Sequence, residues 1–185
     1  MIIETIITSL NEDKSINNAP FGIKINKDII TISPYIPSIT HENLKSRMTA
    51  TINYTNNANL FVDCLLKKKI DLEKCHEINC FYIKESLKHQ EIKVIDYTKN
   101  SIRPEFKCKV IKEENHHSFN GINRANNALI EACILATRIN LIKKKHILDE
   151  LKYLSKAVSK TSGENEIESW EKLNAYIISK LKKIK

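Results

Sequence analysis

Apolar residues alternate with polar ones through much of the first 112 residues, then recur every third or fourth position from Asn120 onward. That change of period limits the architecture more than any other feature of the chain. Ile2–Leu10 and Ile16–Ile25 are β-branched runs on either side of the polar stretch NEDKS, the pattern of an antiparallel hairpin. A third strand over Ile29–Tyr35 follows the turn Asn26-Lys27-Asp28 and sets Ile30, Ile32 and Pro34 on one face. PSITHENLKSR reads as a short helix whose start is marked by Pro37 and Ser38. Met48–Thr55 alternates cleanly, with Ala50, Ile52 and Tyr54 on one side. Asn59–Leu66 is apolar and fits a strand or a helix. Residues 67–90 read as an irregular excursion with a helical turn, and strands return at Glu91–Tyr97 and Phe106–Lys112 around Pro104. Hairpin spacing with one short helix between the third and fourth strands predicts a small antiparallel barrel, mainly β with α, rather than a parallel sheet.

The remainder predicts three helices: Asn120 to about Ile142, Lys145–Lys160, and one beginning where Thr161 and Glu164 have capping-box spacing. The second is amphipathic, with Ile147, Leu148, Leu151, Leu154, Ala157 and Val158 on one stripe. The first contains ALIEACILA, apolar almost all round, and should be covered on more than one side. Arg124, Asn127, Glu131 and Arg138 recur along it. They read either as an ion stripe at a subunit or domain seam or as a source of one arginine for a ligand. Asn120 and Gly121 would stand at its start, where free N–H groups attract anions.

The N-terminus lacks a basic start and has Glu4 inside its apolar run, unlike a signal peptide. Ala128–Ala136 contains Glu131 and is too short to span a bilayer. A cytoplasmic protein is expected, with no membrane partner. The five cysteines (Cys64, Cys75, Cys80, Cys108, Cys133) are scattered and odd in number, which favours reduced thiols. Cys75-His76 and Cys80 have C-x4-C spacing without a second matched pair, so no metal is expected. His116-His117 reads as a solvated loop pair. The formal net charge of +8 comes almost wholly from lysine, with arginine only at positions 47, 103, 124 and 138. Base readers and phosphate clamps favour the planar guanidinium fork, so the charge reads as a solvated face and nucleic acid as an unlikely partner.

Two stretches resist that plain reading. NNAPFGI, residues 17–23, places Pro20 and Gly22 inside the second predicted strand, although strand interiors exclude Pro and are weakened by Gly. The alternatives are a bulge on an edge strand or a flat molecule approaching the backbone. In PYIPSITHENL, residues 34–44, Ser38 and Thr40 stand where strand gives way to helix, with Asn43 one turn in. They can be simple caps, or hydroxyls that complete a phosphate seat at a helix N-terminus.

ETIITSLNEDKSINNAPFGIKI, PSITHENL, ATINYTNNANLFVD and FNGINRANNALIEACILATR occur in this order, and over Glu4 to about Arg138 the chain resembles an archaeal domain-of-unknown-function family (447). Its fold is an FMN-binding split barrel shared with flavin reductases and related to the pyridoxamine-phosphate oxidase barrel. The resemblance implies a split-barrel FMN domain at 1–118, and a C-terminal helical segment at 119–185 packing on the barrel and a homodimer seam. It places Ala19, Pro20 and Gly22 beside the isoalloxazine ring. Ser38, Thr40 and Asn43 fall at the phosphate and ribityl chain, and Asn53 and Thr55 on the strand behind. Pro20 would end ladder pairing and Gly22 would remove a side chain, so that a planar ring lies on bare backbone. Relatives carry a basic residue between the Ser and Thr positions, where this chain has Ile39, so Arg47, Arg124 or Lys45 would supply the charge.

No side chain stands out as an obligatory acid or base. His41 and Glu4 are candidates for a proton relay, though ordinary structural roles suit them better, and Cys64 and Cys133 read as core. The leading expectation is an FMN-dependent oxidoreductase of the flavin-reductase type, with NAD(P)H or another electron donor and an unassigned substrate. A flavin-binding carrier without turnover is the alternative, and a basic nucleic-acid-binding protein the least favoured.

Overall fold

The computed structural model describes residues 1–100 and 102–183 and divides into two compact units. Met1–Thr55 and Ile70–Phe119 form the first; Asn56–Lys69 and the chain from Asn120 form the second. The last two residues of the helical segment expected at 119–185 lie outside the described residues.

The first unit is a closed six-stranded antiparallel barrel in the order β1-β2-β3-β8-β7-β4. Its strands are β1 (Ile2–Leu10), β2 (Ile16–Asn26), β3 (Ile29–Ile32), β4 (Thr49–Tyr54), β7 (Lys88–Thr98) and β8 (Glu105–Asn115). Helix α1 (Ile39–Arg47) joins β3 to β4. The alternation read from the sequence fills the interior with Ile7, Ile23, Ile30, Ile52, Ile92 and Phe106, and Leu44 of α1 joins this cluster. Each fully buried side chain of this size contributes about 1.5–3 kcal/mol through removal from water. His41 is buried beneath the same core, 5.8 Å from the Phe106 ring in an edge-on arrangement and 3.4 Å from the Tyr97 hydroxyl. Its place is structural.

Pro20 does not end the β1–β2 ladder. The register runs unbroken from Ile2 opposite Lys24 to Leu10 opposite Ile16, with Pro20 opposite Ile6 and Gly22 opposite Glu4. The loop explains why. Asn11 N–H donates to Ser15 C=O at 2.9 Å, so bonded pairs recur at every second position from there and Pro20 falls at an unbonded one. Its missing N–H would have faced away from β1. On that outer side β2 meets β3 only at Lys24–Asn26, which leaves an open edge along residues 16–23. Proline belongs on such an edge. Gly22 has a different cause from the bare floor expected for a ring. A Cβ there would stand 2.7 Å from Ile2 Cγ2 and 3.2 Å from Glu4 Oε1, so the missing side chain makes room for its neighbours on β1.

Residues 67–90, expected to be irregular, contain the two-stranded sheet of β5 (Leu72–Lys74) and β6 (Phe81–Ile83). Three-residue strands are too short for alternation to register. β7 begins at Lys88, ahead of the expected Glu91, and is bulged between Glu91 and Ile92 and between Val94 and Asp96.

The second unit holds α2 (Asn59–Leu65), α3 (Arg124–Thr137), α4 (Lys144–Thr161) and α5 (Glu164–Leu181). The ambiguous stretch at 59–66 is therefore helical. Its Ala58 N–H donates to Asn126 Oδ1 of α3 at 3.2 Å. α3 starts later than predicted, because Asn123 caps it by accepting from Ala125 N–H at 2.7 Å. Asn120 and Gly121 thus precede the helix, Gly121 with a left-handed φ of 108°. Ala125, Ala128, Leu129, Ala132, Cys133 and Ala136 are buried, while Arg124, Asn127, Glu131 and Arg138 are exposed. Of the stripe predicted for α4, Ile147, Leu151 and Val158 are buried, Leu154 and Ala157 half-buried and Leu148 exposed. Thr161 ends α4 and does not cap α5; the Glu166 carboxylate accepts from Gly163 N–H at 2.8 Å and closes that turn instead. Among the described residues no helix is long and apolar enough to cross a membrane.

Candidate functional site

The start of α1 lies against the open edge of β2, close to the turn that closes the β1–β2 hairpin. Ser38 caps it, its Oγ accepting from His41 N–H at 3.3 Å, which leaves the first helical amides at Ile39 and Thr40 without intrahelical acceptors. Asn17 of β2 donates to Thr40 Oγ1 at 3.1 Å, so the open edge and the helix start are pinned together. The Thr40 hydroxyl, spending its oxygen on Asn17, keeps its own proton to donate. Positive helix-end dipole, two unpaired amides and two hydroxyls make a seat for an anion. The main chain of Asn18 and Gly22 faces outward along the neighbouring edge.

Asn43 and Asn53 are occupied within the chain. Asn43 Nδ2 donates to Ser9 Oγ at 3.0 Å and Asn11 Oδ1 at 2.8 Å, locking α1 to the hairpin. Asn53 Nδ2 donates to Ile6 C=O and Thr8 Oγ1, and its Oδ1 accepts from Ile83 N–H at 2.7 Å and Ser86 Oγ at 3.3 Å. Both hold strands in place. Thr55 ends the first unit beyond β4, half-buried. Ala19 is half-buried opposite Ile7, and Pro20 is exposed. Arg124 is the exposed first residue of α3, in the helical unit.

An arginine not assigned from the sequence packs on the segment that leads into α1. Arg47 sits in the last turn of α1 and donates to the carbonyls of Asn11 and Glu12 at 2.8 and 3.2 Å, and Lys45 is in that turn too. Both lie at the end of α1 remote from Ser38. Arg103, in the β7–β8 loop, donates through Nε to Ser33 C=O at 3.0 Å and lies over the Tyr35 ring at 5.0 Å. Ile36 N–H donates to Ile102 C=O at 3.0 Å, tying the same loop to the segment that leads into α1. Sequence reasoning noted Arg103 without assigning it, since a contact across 70 positions leaves no local pattern. A cavity of about 470 Å3 elsewhere in the barrel unit, lined by Ile25, Lys27, Asp28, Ile30, Gln90, Lys109 and Val110, shares none of these residues.

The remaining titratable candidates are quiet. Burial pushes the Cys64, Cys108 and Cys133 thiols up to about 12, which makes them core groups and not nucleophiles. Glu4 is exposed on the outer face of β1.

A six-stranded barrel whose second strand is open along one edge beside a capped helix start is a split barrel of the kind found in FMN-binding proteins. Residues 3–117 match the model of the N-terminal domain of the protein family of unknown function DUF447, and residues 123–175 match its second domain. The chain belongs to that family. Its fold is similar to an FMN-bound member from Methanosarcina mazei, with a TM-score of 0.82 at 19% identity, covering 95% of this chain and 94% of that one. A 2-nitrobenzoate 2-nitroreductase from Pseudomonas fluorescens matches with a TM-score of 0.56 at 18% identity, over 60% of this chain and 64% of that one. An FMN-binding protein from Thermus thermophilus matches at 0.53 and 10% identity, over 62% and 70%. No curated protein matches the sequence.

Proposed function

We propose that the chain is an FMN-binding flavoprotein and acts as an oxidoreductase of the flavin-reductase type, as a homodimer. The observation that supports this most directly is the donor set at the start of α1, which suits a phosphate monoester: unpaired amides at Ile39 and Thr40 and the hydroxyls of Ser38 and Thr40, with the Arg103 guanidinium anchored on the segment just before them. Each is held by bonds that leave a donor to spare. The FMN-bound relative from M. mazei supports the choice of ligand. Tyr35, Ile36 and Ile39 are 61, 38 and 56% exposed around the same helix start, and a second subunit would cover them.

FMN, when bound, supplies hydride and electron transfer. The chain's part is to bind and orient. Ser38, Thr40 and Arg103 would fix the phosphate, while outward main-chain groups of β2 would meet the polar rim of the ring. No side chain here is needed as an acid or base, because hydride transfer from a nicotinamide requires apposition above all.

FMN fluorescence should be quenched on titration with flavin-free protein. Arg103→Gln should weaken FMN binding by about tenfold, the worth of one charge-assisted bond, and leave riboflavin binding unchanged because riboflavin has no phosphate. Equal loss for both ligands would remove Arg103 from the phosphate site, and absence of FMN binding by the native protein would end the flavin reading. Ser38→Ala should cost about 1 kcal/mol of stability as a lost helix cap, besides weakening FMN. Anaerobic mixing with NADH or NADPH then separates enzyme from carrier, since only an enzyme bleaches its flavin within seconds.

A further inference from the structure

Cys75 and Cys80 close the β5–β6 hairpin, where Cys75 N–H donates to Cys80 C=O at 3.0 Å. The hairpin is fastened to the outer face of the barrel: Cys80 Sγ donates to Thr8 C=O at 3.5 Å, and Cys75 Sγ lies 3.1 Å from Thr51 Oγ1. Opposite them β7 presents His89 and Glu91, two apart on one strand and both fully buried. Cys75 Sγ, a His89 ring nitrogen and a Glu91 carboxylate oxygen all lie within 4.8 Å of one another.

His89 is the informative member. Its Nδ1 is bonded to His116 Nε2 at 2.7 Å, and Tyr82 stacks on both imidazoles at 4.2 and 4.7 Å, nearly parallel. The ring is thereby fixed, and His116 is built into this cluster rather than left in a solvated loop. Nε2 of His89 is buried and has no hydrogen-bond partner among the described residues. Glu91 Oε1 stands 3.5 Å away, too far and too poorly placed to bond it. Buried polar atoms are almost always paired. When His89 donates its Nδ1 proton to His116, the Nε2 lone pair is aimed at a thiol and a carboxylate, the arrangement of a metal-ligating histidine with its outer partner in place.

We propose that Cys75, His89 and Glu91 bind one divalent ion of the zinc class, with water in the fourth position. Thiolate, imidazole and carboxylate together select zinc over magnesium or calcium, which take oxygen ligands. Protein–zinc bonds of about 2.0–2.3 Å require the three donors to draw in, a movement within reach of side-chain rotation. Binding exchanges three of the ion's waters for protein donors and releases the thiol proton of Cys75 to solvent, with no change of oxidation state. The cysteine spacing alone does not mark the site because two of its ligands form His-x-Glu on β7. This site shares no residue with the proposed flavin site.

The full-length protein, flavin-free and kept reduced with a non-thiol reductant, is stripped with chelator and titrated with Co2+. One ion per chain is expected, with a thiolate-to-cobalt charge-transfer band and the intense visible absorption of tetrahedral cobalt, both erased by Zn2+. Cys75→Ser should lose the charge-transfer band, and His89→Gln should weaken binding about tenfold or more. His76→Gln should change nothing, since that ring is exposed and pairs with Glu114 at 3.5 Å. Absence of the charge-transfer band in the native protein overturns the proposal, whatever the variants do. So does binding that survives both Cys75→Ser and His89→Gln, or that disappears in His76→Gln and so marks an adventitious surface site.

Discussion

Replacing Glu91 by Gln is expected to lower the unfolding free energy by about 3 kcal/mol, measured by denaturant titration at neutral pH with chelator present. Glu91 is fully buried, and its carboxylate accepts three successive amides of the β5–β6 loop: His76 and Glu77 at 2.8 Å and Ile78 at 2.9 Å. Such charge-assisted bonds are each stronger than neutral ones. A Gln amide group turned toward the same N–H groups would oppose donor with donor. Burial, the largest single influence, pushes the Glu91 carboxyl upward, but the amides of His76, Glu77 and Ile78 act against it, and the group titrates below its ordinary 4.5. A carboxylate with a depressed folded-state pKa contributes stability that is complete above the unfolded value and lost as pH falls through the folded one. The native protein should therefore weaken on acidification below about pH 4.5, and Glu91→Gln should flatten that limb. An acid profile identical in the two proteins would refute this account.

Asn53→Ala is expected to cost about 3 kcal/mol, because four bonds in a dry site are broken at once and their partners have no water to turn to. Asn53 ties β4 to Ile6 and Thr8 of β1 and, through Ile83 and Ser86, to the end of β6. Asn53→Asp should not rescue it: the carboxylate can accept from Ile83 and Ser86 but faces the Ile6 carbonyl with no hydrogen to offer. If Asn53 acted on flavin instead, the alanine variant would lose FMN affinity while melting like the parent. The bond pattern predicts the reverse, lower stability with FMN affinity retained in the folded fraction.

The β-branched run of Ile2–Leu10 and the alternation of Met48–Thr55 made most of the barrel legible, because the apolar face of each strand fills the interior while buried Thr8, Thr51 and Asn53 carry the other face. The C-terminal helices were legible for the equivalent reason at helical period. Pro20 was misread because strand propensity says nothing about hydrogen-bond parity; that depends on how the Asn11–Ser15 loop closes, one residue more or less reversing it. The β5–β6 hairpin was missed since its strands are three residues long and its shape is imposed by Glu91 from outside. Thr40 and Ser38 could be placed by their local helix-start signature. Arg103 could not, and neither could the meeting of Cys75 with His89, for both are set by tertiary pairing alone.

The unpaired flank of β2 has one more consequence. An extended chain from another molecule could in principle zip onto residues 16–23 and prolong the sheet without limit. Midway along, Pro20 offers no hydrogen to such an intruder, and its ring stands in the intruder's path. The open edge of β2 therefore resists polymerisation through its own margin.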